Sequence, residues 1–143
     1  MIRTSNYILW IIILYCLLAF GGVTTMNEEK KAQFLNVYKK YKRVMHYVEE
    51  TYKLTMNDVA ILELIRHNCR NKNMLMQPFL KIATTELELS RTKVLASIRR
   101  LIDQDRVSKI RSTEDERKVY LFMNDDNAEK YETLLDDIEA YVK

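Results

Sequence analysis

Glycine is nearly absent from this chain of 143 residues: Gly21 and Gly22 are the only two, and none occurs from Val23 to the C-terminus. Phosphate-cradling loops and dinucleotide fingerprints need glycine where backbone must approach an anion closely, so a nucleotide enzyme is not expected. Pro78 is the single proline, and Lys, Glu, Leu, Ile and Met are abundant, a composition that favours helix. The two cysteines, Cys16 and Cys69, are too few for a disulfide framework, and no Cys/His spacing resembles a zinc site. His46 and His67 stand apart in the sequence, which suits surface or packing positions better than metal ligation. No nucleophile–base constellation is present, so neither catalysis, a metal nor a cofactor is expected.

Charge is missing from one stretch. Tyr7 to Val23 is a run of 17 uncharged residues, with Arg3 the only charge before Glu28. Three readings compete for it: a signal sequence with a thin basic start, a membrane anchor at the lower length limit, or a leader preceding a true start at Met26. As an anchor it would leave the lysine-rich flank, Lys30 to Arg43, and the rest of the chain in the cytosol. The third reading is preferred, because a charge-rich amphipathic helix begins directly after Met26 with no linker. Residues 1–25 are therefore set apart as an apolar segment and residues 26–143 taken as one domain, which is expected in the cytoplasm. A membrane-tethered regulator or interaction module is the alternative if residues 7–23 are a real span.

Within 26–143 the apolar spacing is mostly helical. Phe34, Val37, Tyr38, Tyr41, Val44, Met45, Val48 and Tyr52 mark a long first helix over 27–53. Thr55 and Asp58 resemble a capping pair that opens a second helix, whose stripe of Val59, Leu62 and Ile65 continues to about Cys69. Pro78 suits the first turn of a third helix, with Phe79, Ile82, Ala83 and Leu87 facing inward. Ser90 is a good N-cap for a fourth helix to about Asp105, with Val94, Ile98, Leu101 and Ile102 inward. The tight Glu88–Leu89 connection makes the third and fourth helices a helix-turn-helix. Val107 to Arg111 and Val119 to Met123 read as a hairpin around the polar stretch 112–118. A last helix, capped by Asn124 or Asp125, carries Ala128, Tyr131, Leu134, Leu135, Ile138 and Val142. This order predicts a mainly α (α+β) fold, a winged helix-turn-helix with long N- and C-terminal helices forming a dimer interface. Candidates for that interface are Tyr38, Tyr41, Leu134, Ile138 and Tyr141, from apolar stripes that a three-helix core cannot fully cover.

The formal net charge of +3 conceals a dipolar chain. Residues 90–118 hold nine basic side chains against five acidic ones, whereas 124–143 hold seven acids against Lys130 and Lys143. The basic part is the one expected to face phosphate. On the fourth helix Arg91, Thr92, Lys93, Ser97 and Arg100 lie away from the apolar stripe, with Arg99 flanking them, where base-edge and phosphate contacts are made in a major groove. At the hairpin, Lys109, Arg111, Arg117 and Lys118 surround the acidic Glu114, Asp115 and Glu116, and arginine suits a narrow, negative minor groove.

The run Lys109-Ile110-Arg111-Ser112-Thr113-Glu114-Asp115-Glu116-Arg117-Lys118-Val119 resembles the wing of the staphylococcal accessory regulator (Sar) family, within the MarR-like winged-helix group, and in particular its SarX-type branch. The likeness extends to Leu54-Thr55-Met56-Asn57-Asp58, Leu75-Met76-Gln77 and Ser90-Arg91-Thr92-Lys93, and covers 26–143. It implies a homodimeric regulator of virulence or biofilm genes that binds AT-rich double-stranded promoter DNA. By position Arg111 and Arg117 become wing contacts, and Asp115 and Glu116 acidic positions needed for regulation. Some relatives sense oxidant through a cysteine in the first helix. Here the first helix has none, and Cys69 is expected to be packed and unreactive.

Overall fold

A computed structural model describes residues 27–143; the apolar run 7–23 and the three readings of it lie outside the described residues. Two units are distinguished, residues 54–134 and residues 27–53 with 135–143.

The first unit carries the winged helix. Helix α1, Glu28–Tyr52, belongs to the other unit, so the element order here begins with α2, Met56–Cys69. Thr55 and Asp58 form a reciprocal capping box: the Asp58 N–H donates to Thr55 Oγ1 at 3.1 Å, and the Thr55 N–H donates to Asp58 Oδ2 at 2.8 Å. The shorter Asp thus does what Glu usually does at this position. After the two-residue strand β1, Met74–Leu75, helix α3 spans Met76–Leu87, with Pro78 in its first turn where a missing N–H costs nothing. Helix α4, Arg91–Asp103, is capped by the Ser90 side chain. Strands β2, Ser108–Arg111, and β3, Val119–Phe122, form the wing, and α5, Asp125–Val142, begins at Asn124, whose Oδ1 accepts the Asn127 N–H.

The sheet order is β1-β3-β2, all antiparallel, with Leu75 and Ile110 both opposite Tyr120. Strand β1 was not anticipated, because two residues carry no period. It makes β3 the central strand, which explains the imperfect alternation in that segment. The core draws Ile61, Leu62, Ile65 and Cys69 from α2, Phe79, Leu80 and Ala83 from α3, Val94, Ile98 and Leu101 from α4, and Leu121 and Met123 from the wing. Ile82 and Leu87, expected inward with Phe79 and Ala83, are half-buried, and Leu80 takes the position in the core. Burial pushes the Cys69 thiol up to about 11, an effect that Lys72 only partly opposes.

Having no glycine from Val23 onward, the chain turns corners on other residues. Lys53, Asn71, Glu88 and Asp105 all have positive φ, and Lys53 and Glu88 are the C-caps of α1 and α3. For a residue with a Cβ the left-handed region costs roughly 1 kcal/mol or more.

In the second unit α1 is capped by Asn27, whose side chain accepts the Lys30 N–H. Val44 and Val48 are buried, and Tyr47 stacks on Tyr141 of α5 with ring centroids 4.3 Å apart. The Tyr52 hydroxyl donates to Asp137. Phe34, Leu35, Tyr38 and Tyr41 remain exposed along α1.

Candidate nucleic-acid interface

The N-terminal turn of α4 presents Arg91, Thr92 and Lys93 to solvent, because Ser90 caps the helix and Val94 begins its buried arc. Arg91 does not swing freely. Its Nη2 donates to Gln77 Oε1 in the first turn of α3 at 3.0 Å, which steers the guanidinium from the helix-turn-helix partner. From sequence Gln77 figures only in the Leu75-Met76-Gln77 likeness, with no role of its own, since that role depends on a contact between two helices.

Further along α4 the expected set divides. Arg99 is exposed. Ser97 is a correction: it is 1% exposed, and its hydroxyl accepts Arg100 Nη2 at 3.4 Å. The buried arc of α4 is Val94, Ser97, Ile98 and Leu101, a full 3,4-spaced face, so a small polar residue read as outward belongs inside. Arg100 lies at the edge of this arc. Its Nε donates to Asp58 Oδ2 at 3.0 Å and its Nη2 to Asp58 Oδ1 at 2.9 Å, a bidentate pair between α4 and the start of α2. The carboxylate is 0% exposed while the arginine side chain is 44% exposed. Burial alone would raise the Asp58 pKa. Hydrogen bonds from Arg100, Ser97 and the Thr55 backbone, with the Arg100 charge, outweigh it and hold the carboxyl below the ordinary carboxylate value.

The wing loop closes without glycine by using side chains as turn formers. Ser112 Oγ accepts the N–H groups of Glu114 and Asp115, both at 3.3 Å, and the backbone closes with Ser112 N–H to Lys118 O and Lys118 N–H to Asp115 O, each 2.9 Å. Asp115 Oδ1 accepts the Arg117 N–H at 3.1 Å and Arg117 Nε at 3.4 Å. Short polar side chains supply such local bonds in place of a special backbone conformation. Arg111 Nη1 donates to the Glu116 carbonyl at 3.0 Å, so this arginine spans the loop. Arg117 is otherwise outward, its side chain 94% exposed, and an ion pair so wet contributes at most about 1 kcal/mol.

Between α4, the start of α3 and the wing lies a cleft of about 410 Å³. Leu95, Ile98, Ile102 and Val119 contribute apolar lining, and Arg99, Lys109, Arg117 and Lys118 contribute four cations with no carboxylate among the lining residues. Helix and hairpin, separate in sequence, thus share one basic concavity.

The family described as transcriptional regulator SarA/Rot matches residues 43–134. The chain belongs to the SarA/Rot family. It is 49% identical over 117 residues to the HTH-type transcriptional regulator SarX of Staphylococcus aureus strain bovine RF122 / ET3-1, covering 82% of this chain and 98% of that protein, and 48% identical over the same span to SarX of strain USA300. The fold is that of MarR-like winged helices. The multiple antibiotic resistance repressor MarR superposes with a TM-score of 0.56 at 14% identity, over 83% of this chain and 80% of the other. BldR of Sulfolobus solfataricus superposes with a TM-score of 0.52 at 15% identity, over 80% and 81%. Membership in SarA/Rot makes this a DNA-binding transcriptional regulator and not an enzyme, and the winged helix-turn-helix expected from the pattern is the fold observed. Among the described residues no helix is long and apolar enough to cross a membrane.

Among the interface candidates, Tyr38, Tyr41 and Tyr141 are exposed. Leu134 and Ile138 are buried. Each is 1% exposed in the single chain.

Proposed function

We propose that a homodimer of this SarA/Rot member acts in the cytoplasm on AT-rich, double-stranded promoter DNA of virulence or biofilm genes, with α4 in the major groove and the wing in the flanking minor groove. The observation that carries this reading is the shared basic cleft. The strand of DNA that separates a major from a minor groove must cross between an inserted helix and its wing, and the cations there meet its phosphates. Arg91, Thr92 and Lys93 are the base-facing and backbone contacts of the helix; Arg99 and Lys109 serve the crossing strand. Arg111, Arg117 and Lys118 serve the wing, with Asp115 and Glu116 as the acidic positions that shape and tune it.

Dimerisation would cover the exposed stripe of α1 with Tyr141. Tyr38, at 51% exposure, is the side chain with most to gain. The test is fluorescence anisotropy with an AT-rich duplex over a range of salt. Affinity should fall steeply with salt, about one logarithmic unit of slope per phosphate contact. An affinity that ignores salt, or one equal for a GC-rich duplex, removes the reading.

A further inference from the structure

We infer that Asp58 is a positioning residue for DNA recognition, which holds Arg100 in one orientation so that the outer edge of its guanidinium meets a DNA phosphate. The inference rests on the DNA-facing role proposed for α4. Asp58 is wholly buried, and its two oxygens serve four donors: the Thr55 N–H of the capping box, Arg100 Nε, Arg100 Nη2 and the Ser97 hydroxyl. Ser97, beneath the same guanidinium, accepts from Nη2 as well. The inner edge of the fork is thereby saturated and its rotamer fixed by α2, α4 and a helix cap together. Nη1, with two N–H groups, makes none of these hydrogen bonds, and the arginine side chain is 44% exposed.

A free arginine loses rotamer freedom when it binds; one already clamped loses little, and a planar fork retains its direction. The cost of the clamp is charge, because buried Asp58 cancels Arg100 in the field seen by DNA. An arrangement that served only general attraction to DNA would not bury a carboxylate against one of its cations. One that serves registry would, since phosphate contacts set the position of a protein on the duplex.

The two purposes predict opposite effects for Asp58→Asn, which retains the volume and adds one unit of positive charge to the face. The probe is the duplex that the wild-type protein enriches from a random-sequence pool, measured against a scrambled duplex of the same composition. Asp58→Asn should lower the ratio of enriched to scrambled affinity by about tenfold, while scrambled binding holds or tightens. Arg100→Lys preserves charge without the fork and should lower the ratio similarly; the double variant should lose no more than either single one. A loss of folded protein scales both affinities together and leaves the ratio unmoved, so a purely structural role gives an unchanged ratio. A ratio within twofold of wild type in both single variants, or a rise in Asp58→Asn, overturns the clamp. Failure of the wild-type protein to enrich any sequence overturns the DNA reading itself, and the clamp with it.

Discussion

Arg100 of α4 and Asp58 of α2, forty-two positions apart in the chain, meet in a bidentate pair at 3.0 and 2.9 Å. The carboxylate is buried and the guanidinium half in water. Removing the arginine strands a buried charge, so Arg100→Ala should destabilise the fold by about 2 to 3 kcal/mol, less than for a fully dry pair. Urea unfolding at neutral pH measures this, and a change under about 0.5 kcal/mol would show that water replaces the arginine without cost.

The same pair sets an acid limit. The folded-state pKa of Asp58 is depressed, so its contribution is complete above the ordinary carboxylate value of about 3.9 and is lost as pH falls through the lower folded value. Stability of the wild-type protein should therefore drop below about pH 4, and Asp58→Asn should show a shallower drop over that window. Unfolding midpoints from pH 2 to pH 7 provide the comparison.

At the wing, Arg117→Ala should weaken binding to an AT-rich duplex by about 1 to 3 kcal/mol. Arg111 also ties the loop through the Glu116 carbonyl. Arg111→Ala should thus both remove a cation and loosen the tip, and the double variant should bind worse than either single one. Unchanged affinity in the double variant would falsify the wing as a contact.

Cys69 should be inert. Its thiol is fully buried and pushed up to about 11, so almost no thiolate exists at neutral pH. A thiol-labelling reagent should leave Cys69 unmodified in native conditions and modify it only at the rate of unfolding. Rapid labelling of the native protein at this residue would contradict the packing.

Glu88, the left-handed C-cap of α3, sits where glycine is the usual residue. Glu88→Gly should relieve the Cβ clash and raise stability by about 0.5 to 1 kcal/mol. Thermal unfolding tests this, with circular dichroism to check that α3 and α4 retain their content.

Much of the fold could be read in the chain alone, because its causes are local. Helix spacing, the Ser90 cap, the Thr55–Asp58 box and the paired β-rich runs around 112–118 depend on residues three or four apart, or on a polar interruption between two strands. From them come the helix order, the helix-turn-helix and the wing, and the basic balance of 90–118 marks the face. Tertiary structure decided what distance in sequence conceals. That Ser97 is inside, that Leu134 and Ile138 are buried in the single chain, that Gln77 steers Arg91, and that the cations of helix and hairpin line one cleft are all consequences of packing between elements. Asp58 shows the division in a single residue. Its capping role follows from Thr55 three positions earlier, whereas its hold on Arg100 exists only because the fold brings α2 and α4 together and leaves a buried carboxylate in need of donors.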